Sequence, residues 1–178
     1  MVRAPVDVQS SPGAYSDADV AAMQLALAQA DMAYAQGEVP VGAVIVDDQG
    51  RVLATGFNRT IIDHDPTGHA EIVALREAAR AMGNYRLPGV SLFVTLEPCA
   101  MCIGAMFHAR VARVVYAAAD PKTGACGSVL SVHTAIQINH QTEVMGGLLA
   151  EESQALLLRF FRERRAQAKG TGNGVNSV

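Results

Sequence analysis

No tryptophan occurs in the 178 residues, and the aromatic share is only 5%. A core cannot rest on large rings here. It must come from small and branched aliphatic side chains, which are plentiful, since half of the residues are hydrophobic. Cysteine is scarce as well. Three cysteines, two of them close together, make no disulfide framework, and a reducing cytoplasm is the simpler setting. No apolar run reaches the roughly 18 residues expected of a membrane span. The opening, MVRAPVDVQSSPGAYS, lacks the hydrophobic stretch of a secretory signal. Neither sign of charge dominates, with 17 acidic against 14 basic residues. A net charge of −3 marks no nucleic-acid binder globally, so any such surface has to be local.

A chain of this length is expected to form one domain with a sizeable core. The Pro-, Ser- and Gly-bearing start (1–15) and the end GTGNGVNSV (170–178) read as flexible extensions of a domain over 16–169. Ser16 is a natural helix cap, with acids in the first turn and apolar residues at helical spacing from Val20 to Ala33. Val41–Val46 and Val52–Phe57 are β-rich runs joined by a short polar turn. A helix is expected over His69–Ala81, a strand over Ser91–Thr95 and a third helix over Cys99–Ala109, opened by Pro98. Ala112–Ala118 reads as a buried strand, Val129–His133 as one helical turn, Thr142–Met145 as a short strand and Glu151–Ala168 as a long helix. Strands separated by helices imply parallel pairs covered on both faces, plus one antiparallel hairpin.

Two of the three cysteines stand in "EPCAMC", a Cys-x-x-Cys pair directly after a proline. Three chemistries fit such a pair. A redox couple would place the first thiol at a helix N-terminus. A structural metal site needs four ligands, and Cys126 could complete one with His69, Cys99 and Cys102. A catalytic site needs three ligands and an open position. The stretch "GHAEI" at 68–72 also falls where a helix should begin, and it brings both a histidine and Glu71. Glu71 is what a hydrolytic site requires and a structural one does not. Two thiolates already cancel the charge of zinc, so a carboxylate is needed to take a proton from water. His-x-Glu followed by Pro-Cys-x-x-Cys is the signature of the zinc nucleobase deaminases.

The chain resembles the bacterial tRNA-specific adenosine deaminases. The segments that carry the likeness are "EVPVGAVIV", "GFNR", "HDPTGHAEI", "NYRL", "VTLEPCAMCIGAM", "KTGACGS" and "FFRERR". This resemblance implies a three-layer α/β/α cytidine-deaminase-like fold with a five-stranded mixed sheet, and a homodimer. It implies hydrolytic deamination of adenosine to inosine at the wobble position, 34, of an arginine tRNA, in the cytoplasm. By likeness His69, Cys99 and Cys102 hold one zinc ion per chain, and Glu71 is the proton shuttle for attack at C6 of adenine. Asn58 would contact the purine, with Ala70 beside it, and Val39 and Pro40 would form the wall against which the flipped base packs. Asp120 would face the ribose 5′ of the target and accept from its 2′-hydroxyl. Asn139, His140, Phe160, Phe161, Arg164 and Arg165 would contact the tRNA anticodon stem-loop. No membrane partner is implied.

Overall fold

The computed structural model describes residues 15–135 and 137–171. The extensions expected at 1–15 and 170–178 lie outside the described residues, apart from Tyr15 and the helix end at 170–171. In chain order the elements are α1 (Asp17–Ala35), β1 (Gly42–Val46), β2 (Val52–Phe57), α2 (Ala70–Met82), β3 (Ser91–Leu96), α3 (Ala100–Ala109) and β4 (Arg113–Ala118). A short 3-10 turn at Val132–Thr134, β5 (Glu143–Gly146) and α4 (Ala150–Thr171) complete the chain. The strands form one sheet in the order β2-β1-β3-β4-β5. β1 pairs antiparallel with both β2 and β3, whereas β3–β4 and β4–β5 are parallel. The five-stranded mixed sheet expected from the sequence is therefore present.

Burial follows the two-residue period of a pleated strand. Ala43, Ile45, Leu92, Val94 and Val114 face one helix layer, together with Ile72, Leu75, Ile103 and Met106. Val44, Val46, Phe93, Val115 and Ala117 face the other, against Ala22, Met23 and Ala26 of α1. Every central strand is thus covered on both sides, which explains runs that are apolar throughout rather than alternating. Without tryptophan, close approach of backbones does much of the packing. A Cβ on Gly56 would lie 2.6 Å from the Ala70 carbonyl oxygen, so only glycine lets the start of α2 sit down on β2.

The helix starts matter most for function. α2 begins at Ala70 with His69 as its N-cap, and α3 begins at Ala100 with Cys99 as its N-cap. Pro98 therefore precedes the cap of α3 rather than occupying its first turn, because Cys99 keeps an extended backbone with ψ 172°.

α1 is tied down by a capping box. Asp19 N–H donates to Ser16 Oγ at 3.2 Å, and Ser16 N–H donates back to the Asp19 carboxylate at 2.9 Å. Arg113 of β4 grips the same carboxylate at 2.6 and 3.2 Å. Burial opposes charge on Asp19, yet the Arg113 guanidinium and the Ser16 amide hold its carboxyl below the usual carboxylate range. Asp19→Ala removes the reciprocal half of the capping box and the ion pair, and should destabilise the fold by about 2–4 kcal/mol, read by urea unfolding. A depressed folded-state value means this stability is fully present above the ordinary carboxylate range. It is lost as pH falls through the lower folded value. The difference between wild type and Asp19→Ala should accordingly be full at neutral pH and shrink in strong acid.

Candidate active site

His69 and Cys99 occupy positions that serine, threonine or aspartate normally fill to satisfy the first amides of a helix. Neither makes a side-chain cap hydrogen bond. Their side chains turn instead toward each other across the gap between α2 and α3. Cys99 Sγ lies 3.7 Å from His69 Nδ1, Cys102 Sγ lies 3.6 Å from it, and the two sulfurs are 3.7 Å apart. A tetrahedral zinc with Zn–S near 2.3 Å and Zn–N near 2.05 Å requires about 3.8 Å between sulfurs and about 3.6 Å from sulfur to nitrogen. The three donors fit that metal in both type and spacing. Among the described residues, His69, Cys99 and Cys102 form the one cluster suited to a metal ion.

The two helix N-termini point their positive dipole ends at this triad. The Cys99 thiol is pulled down to about 4, first by the hydrogen bond from the Cys102 thiol and also by His69. Cys102, as donor and as a buried group, is pushed up. His69 is raised, chiefly by its contact with Cys99. Glu71 sits in the first turn of α2, only 3% exposed, and burial drives its carboxyl upward against the opposing pull of His69.

The triad opens into a cleft of about 210 Å³, lined in part by Val39, Asn58, His69, Glu71, Cys99 and Asp120. Asn58, at the end of β2, accepts from the Ala70 amide through Oδ1 at 2.9 Å, which leaves its amide N–H groups to face a ligand. Pro40 is buried, whereas Val39 and Val41 face the cleft. Asp120 accepts from Lys122 N–H at 2.9 Å and from the Thr123 hydroxyl at 2.6 Å, and its carboxyl lies below the usual range. A larger apolar groove, about 530 Å³, adjoins this cleft. It shares Val39, Leu96, Asp120 and Thr123 with the cleft and adds Leu157, Leu158 and Phe161 from α4.

The remaining sequence candidates divide. Phe160 is buried at 7% exposure and packs edge-on to Tyr34, so it belongs to the contact between α4 and α1. Phe161 is 42% exposed along the groove, and Arg165 is exposed. Arg164 donates to the Gly37 carbonyl and lies over the Phe160 ring. Asn139 and His140 line a second concavity with Tyr85, Arg86, His108 and Arg110, which shares no residue with the cleft. Within one chain the fold does not bring them to Glu71.

Two residues escaped the sequence reading. Glu38 is wholly buried and accepts from the Ile61 and Ile62 amides at 2.7 and 2.8 Å and from Thr60 Oγ1 at 3.1 Å. Glu97, at 3% exposure, accepts from the amides of Asp120, Cys126 and Ser128. The signal was a lone acid inside an apolar segment, "GEVPVG" and "TLEPC", where a solvated carboxylate has no place.

This fold, with a His-Cys-Cys triad and a buried glutamate at paired helix starts, defines a hydrolytic deaminase of the cytidine deaminase class. The family model for the cytidine and deoxycytidylate deaminase zinc-binding region matches residues 16–118. A tRNA-specific adenosine deaminase of Haemophilus influenzae is 49% identical over 154 residues, covering 86% of this chain and 89% of its own. A solved structure from a study of A-to-I editing by tRNA:A34 deaminases is 46% identical with a TM-score of 0.74, covering 77% of this chain and 99% of that one. A guanine deaminase from Bacillus subtilis is 40% identical with a TM-score of 0.53, over 56% of this chain and 63% of its own. The chain belongs to the tRNA-specific adenosine deaminase family.

Proposed function

We propose that this chain deaminates adenosine 34 of tRNA to inosine, with arginine tRNA as the first substrate to test and one zinc ion per chain. The carrying observation is the coincidence, in one cleft, of the zinc-fitting triad, buried Glu71 and the free amide group of Asn58. When bound by His69, Cys99 and Cys102, zinc supplies Lewis acidity that makes water acidic enough to react near neutral pH.

The chain's own residues do the rest. Glu71 takes a proton from the attacking water and passes it to ring nitrogen N1. It then takes the remaining proton from the hydroxyl now on C6 and delivers it to the amino group, which leaves as ammonia. The overall balance is adenosine plus water to inosine plus ammonia. A carboxyl raised by burial suits a group that must hold a proton as well as accept it. Asn58 donates to the purine edge and Val39 packs on its face, so the target base must leave the anticodon stack to reach the cleft. The adjoining groove, with exposed Phe161, and the basic outer face of α4 give the flanking nucleotides apolar and cationic surface. A free base would leave that surface unused, which favours the RNA substrate over guanine or cytosine. No described helix is long and apolar enough to cross a membrane. The homodimer belongs to this reading, with Val129 and Leu130, 51% and 50% exposed, as apolar surface that a second copy would cover.

The test is inosine formation at position 34 of an arginine-tRNA anticodon stem-loop, compared with free adenosine, guanine and cytosine. Turnover of the stem-loop with little on the free compounds is expected. Fast turnover of free guanine or cytosine would overturn the tRNA reading. Asp120 is the proposed acceptor for the 2′-hydroxyl 5′ of the target. Deoxyribose at that one position should lower the rate by about 10-fold or more, the worth of a hydrogen bond to a charged group. Asp120→Asn should narrow that ribose preference. Equal preference in both proteins would remove Asp120 from substrate recognition.

A further inference from the structure

We infer that Glu97 is a positioning residue of this reaction: its buried carboxylate holds the 120–128 loop, and through it Asp120, at the edge of the cleft. The inference rests on the stem-loop reading of the cleft given above.

Glu97 follows β3 directly and precedes Pro98 and the ligand Cys99. Its backbone amide continues the β3–β4 pairing by donating to Ala118 O at 2.8 Å. From that fixed base the side chain reaches the far loop. Oε1 accepts from Cys126 N–H at 2.9 Å and Ser128 N–H at 3.1 Å. Oε2 accepts from Asp120 N–H at 3.0 Å and from the Ser128 hydroxyl. A buried carboxylate is costly unless its oxygens are well filled with donors, and these are. The loop is wrapped closely around the group. A Cβ on Gly124 would stand 2.4 Å from Glu97 Cδ, so glycine is required there. Ala125 N–H also donates to Pro98 O at 2.8 Å, which docks the loop on the segment that carries Cys99.

The function of the clamp follows from what the loop presents. Asp120 and Thr123 line the same cleft as Glu71 and Asn58. Asp120 stands at the Glu97 contact itself, and its carboxylate is oriented locally by Thr123 and Lys122. Glu97 also borders the cleft, but both its oxygens are taken by donors of the loop, so it acts through the loop rather than on the base. It sets the distance between the metal-ligand turn and the wall that reads the backbone of the substrate.

Glu97→Gln distinguishes this role from general stability. The amide oxygen best replaces Oε1, which faces two N–H donors. The amide nitrogen then replaces Oε2, where the Ser128 hydroxyl can rotate to accept. The Asp120 N–H cannot, and it is left facing another donor. The substitution therefore frees Asp120 before Cys126 or Ser128.

The experiment uses the zinc-loaded protein. Residue-resolved amide exchange is measured with kcat and KM on matched ribose and deoxyribose stem-loops, in wild type, Glu97→Gln, Asp120→Asn and the double variant. Glu97→Gln should keep stoichiometric zinc, speed exchange at Asp120 by about 10-fold, and lower kcat/KM on the ribose stem-loop by about 10-fold, mainly through KM. The ribose preference should shrink, and Glu97→Gln should add little once Asp120 is Asn. Unchanged exchange at Asp120 overturns the clamp. An equal loss in the Asp120→Asn background overturns the positioning role. If Glu97→Gln fails to fold, Ser128→Ala, which leaves the carboxylate in place, carries the same test at about 3-fold. A wild-type protein that turns over neither stem-loop overturns the substrate reading instead. Exchange, which needs no substrate, then decides alone whether Glu97 holds the loop.

Discussion

Glu71→Gln is expected to remove turnover while leaving zinc content and stem-loop affinity close to wild type. The two side chains have nearly the same shape, and Glu71 is 3% exposed, so the amide fills the same space in α2. What disappears is the ability to take and return a proton. A positioned base is typically worth about 10²–10⁴-fold, and a group used at more than one proton transfer can exceed that. Single-turnover inosine formation gives the chemical step directly, and zinc analysis on the same sample shows that the triad is intact. Removing the desolvation that raises this carboxyl should also leave the variant at least as stable as wild type. Turnover within a few-fold of wild type would take Glu71 out of the mechanism.

Cys99→Ala should lose stoichiometric zinc, and with it all turnover above background. One sulfur gone leaves two donors, too few for a closed tetrahedral shell with a single open position. Stability should fall as well, because metal binding to the folded state alone contributes to folding free energy. In a domain of this size each kcal/mol lost lowers the melting temperature by about 2–4 °C. Cys126→Ser is the control. Cys126 is fully buried and lies outside the His69, Cys99 and Cys102 cluster, with burial and the nearby Glu97 pushing its thiol up to about 12. That variant should keep one zinc per chain and its activity. Zinc loss in it would move the site to a four-ligand structural type. The direction of pH dependence follows from the ligands. Zinc binding needs His69 neutral and Cys102 deprotonated, and both hold their protons more tightly in the metal-free fold. Affinity should therefore weaken as pH falls, and a chelator should strip the protein faster in mild acid.

Much of the architecture is readable along the chain because its local signals agree. The apolar runs at 42–46, 92–94 and 114–118 are uninterrupted, and only a strand covered on both faces tolerates that. Ser16 and Asp19 spell out a capping box three residues apart, and the structure forms it. Helix edges were less exact. Cys99 and His69 are caps rather than first-turn residues, with extended backbones that turn their side chains toward each other and toward Cys102. What the clamp residues Glu38 and Glu97 hold was invisible for a different reason. Their partners lie 22–24 and 23–31 residues away and are mostly backbone amides, which carry no sequence signature. The six tRNA-facing candidates separate for a related reason. One helical turn places Phe160 inward and Phe161 outward, and the loop after the 3-10 turn carries Asn139 and His140 to a different concavity.

By itself, then, the chain's sequence determined the chemistry. Which atoms can bind zinc, which carboxylate can move a proton and which runs must be buried are properties of residue type and short spacing. The tertiary structure decided the geometry. Two helices start side by side only because β2 and β3 flank β1 and Gly56 lets α2 settle onto the sheet. That juxtaposition brings His69 and Cys99, thirty residues apart, to 3.7 Å, and places Asp120 at the cleft through a buried glutamate. Long-range packing sets such distances, because no local rule relates residues that meet only when the sheet has closed around its core.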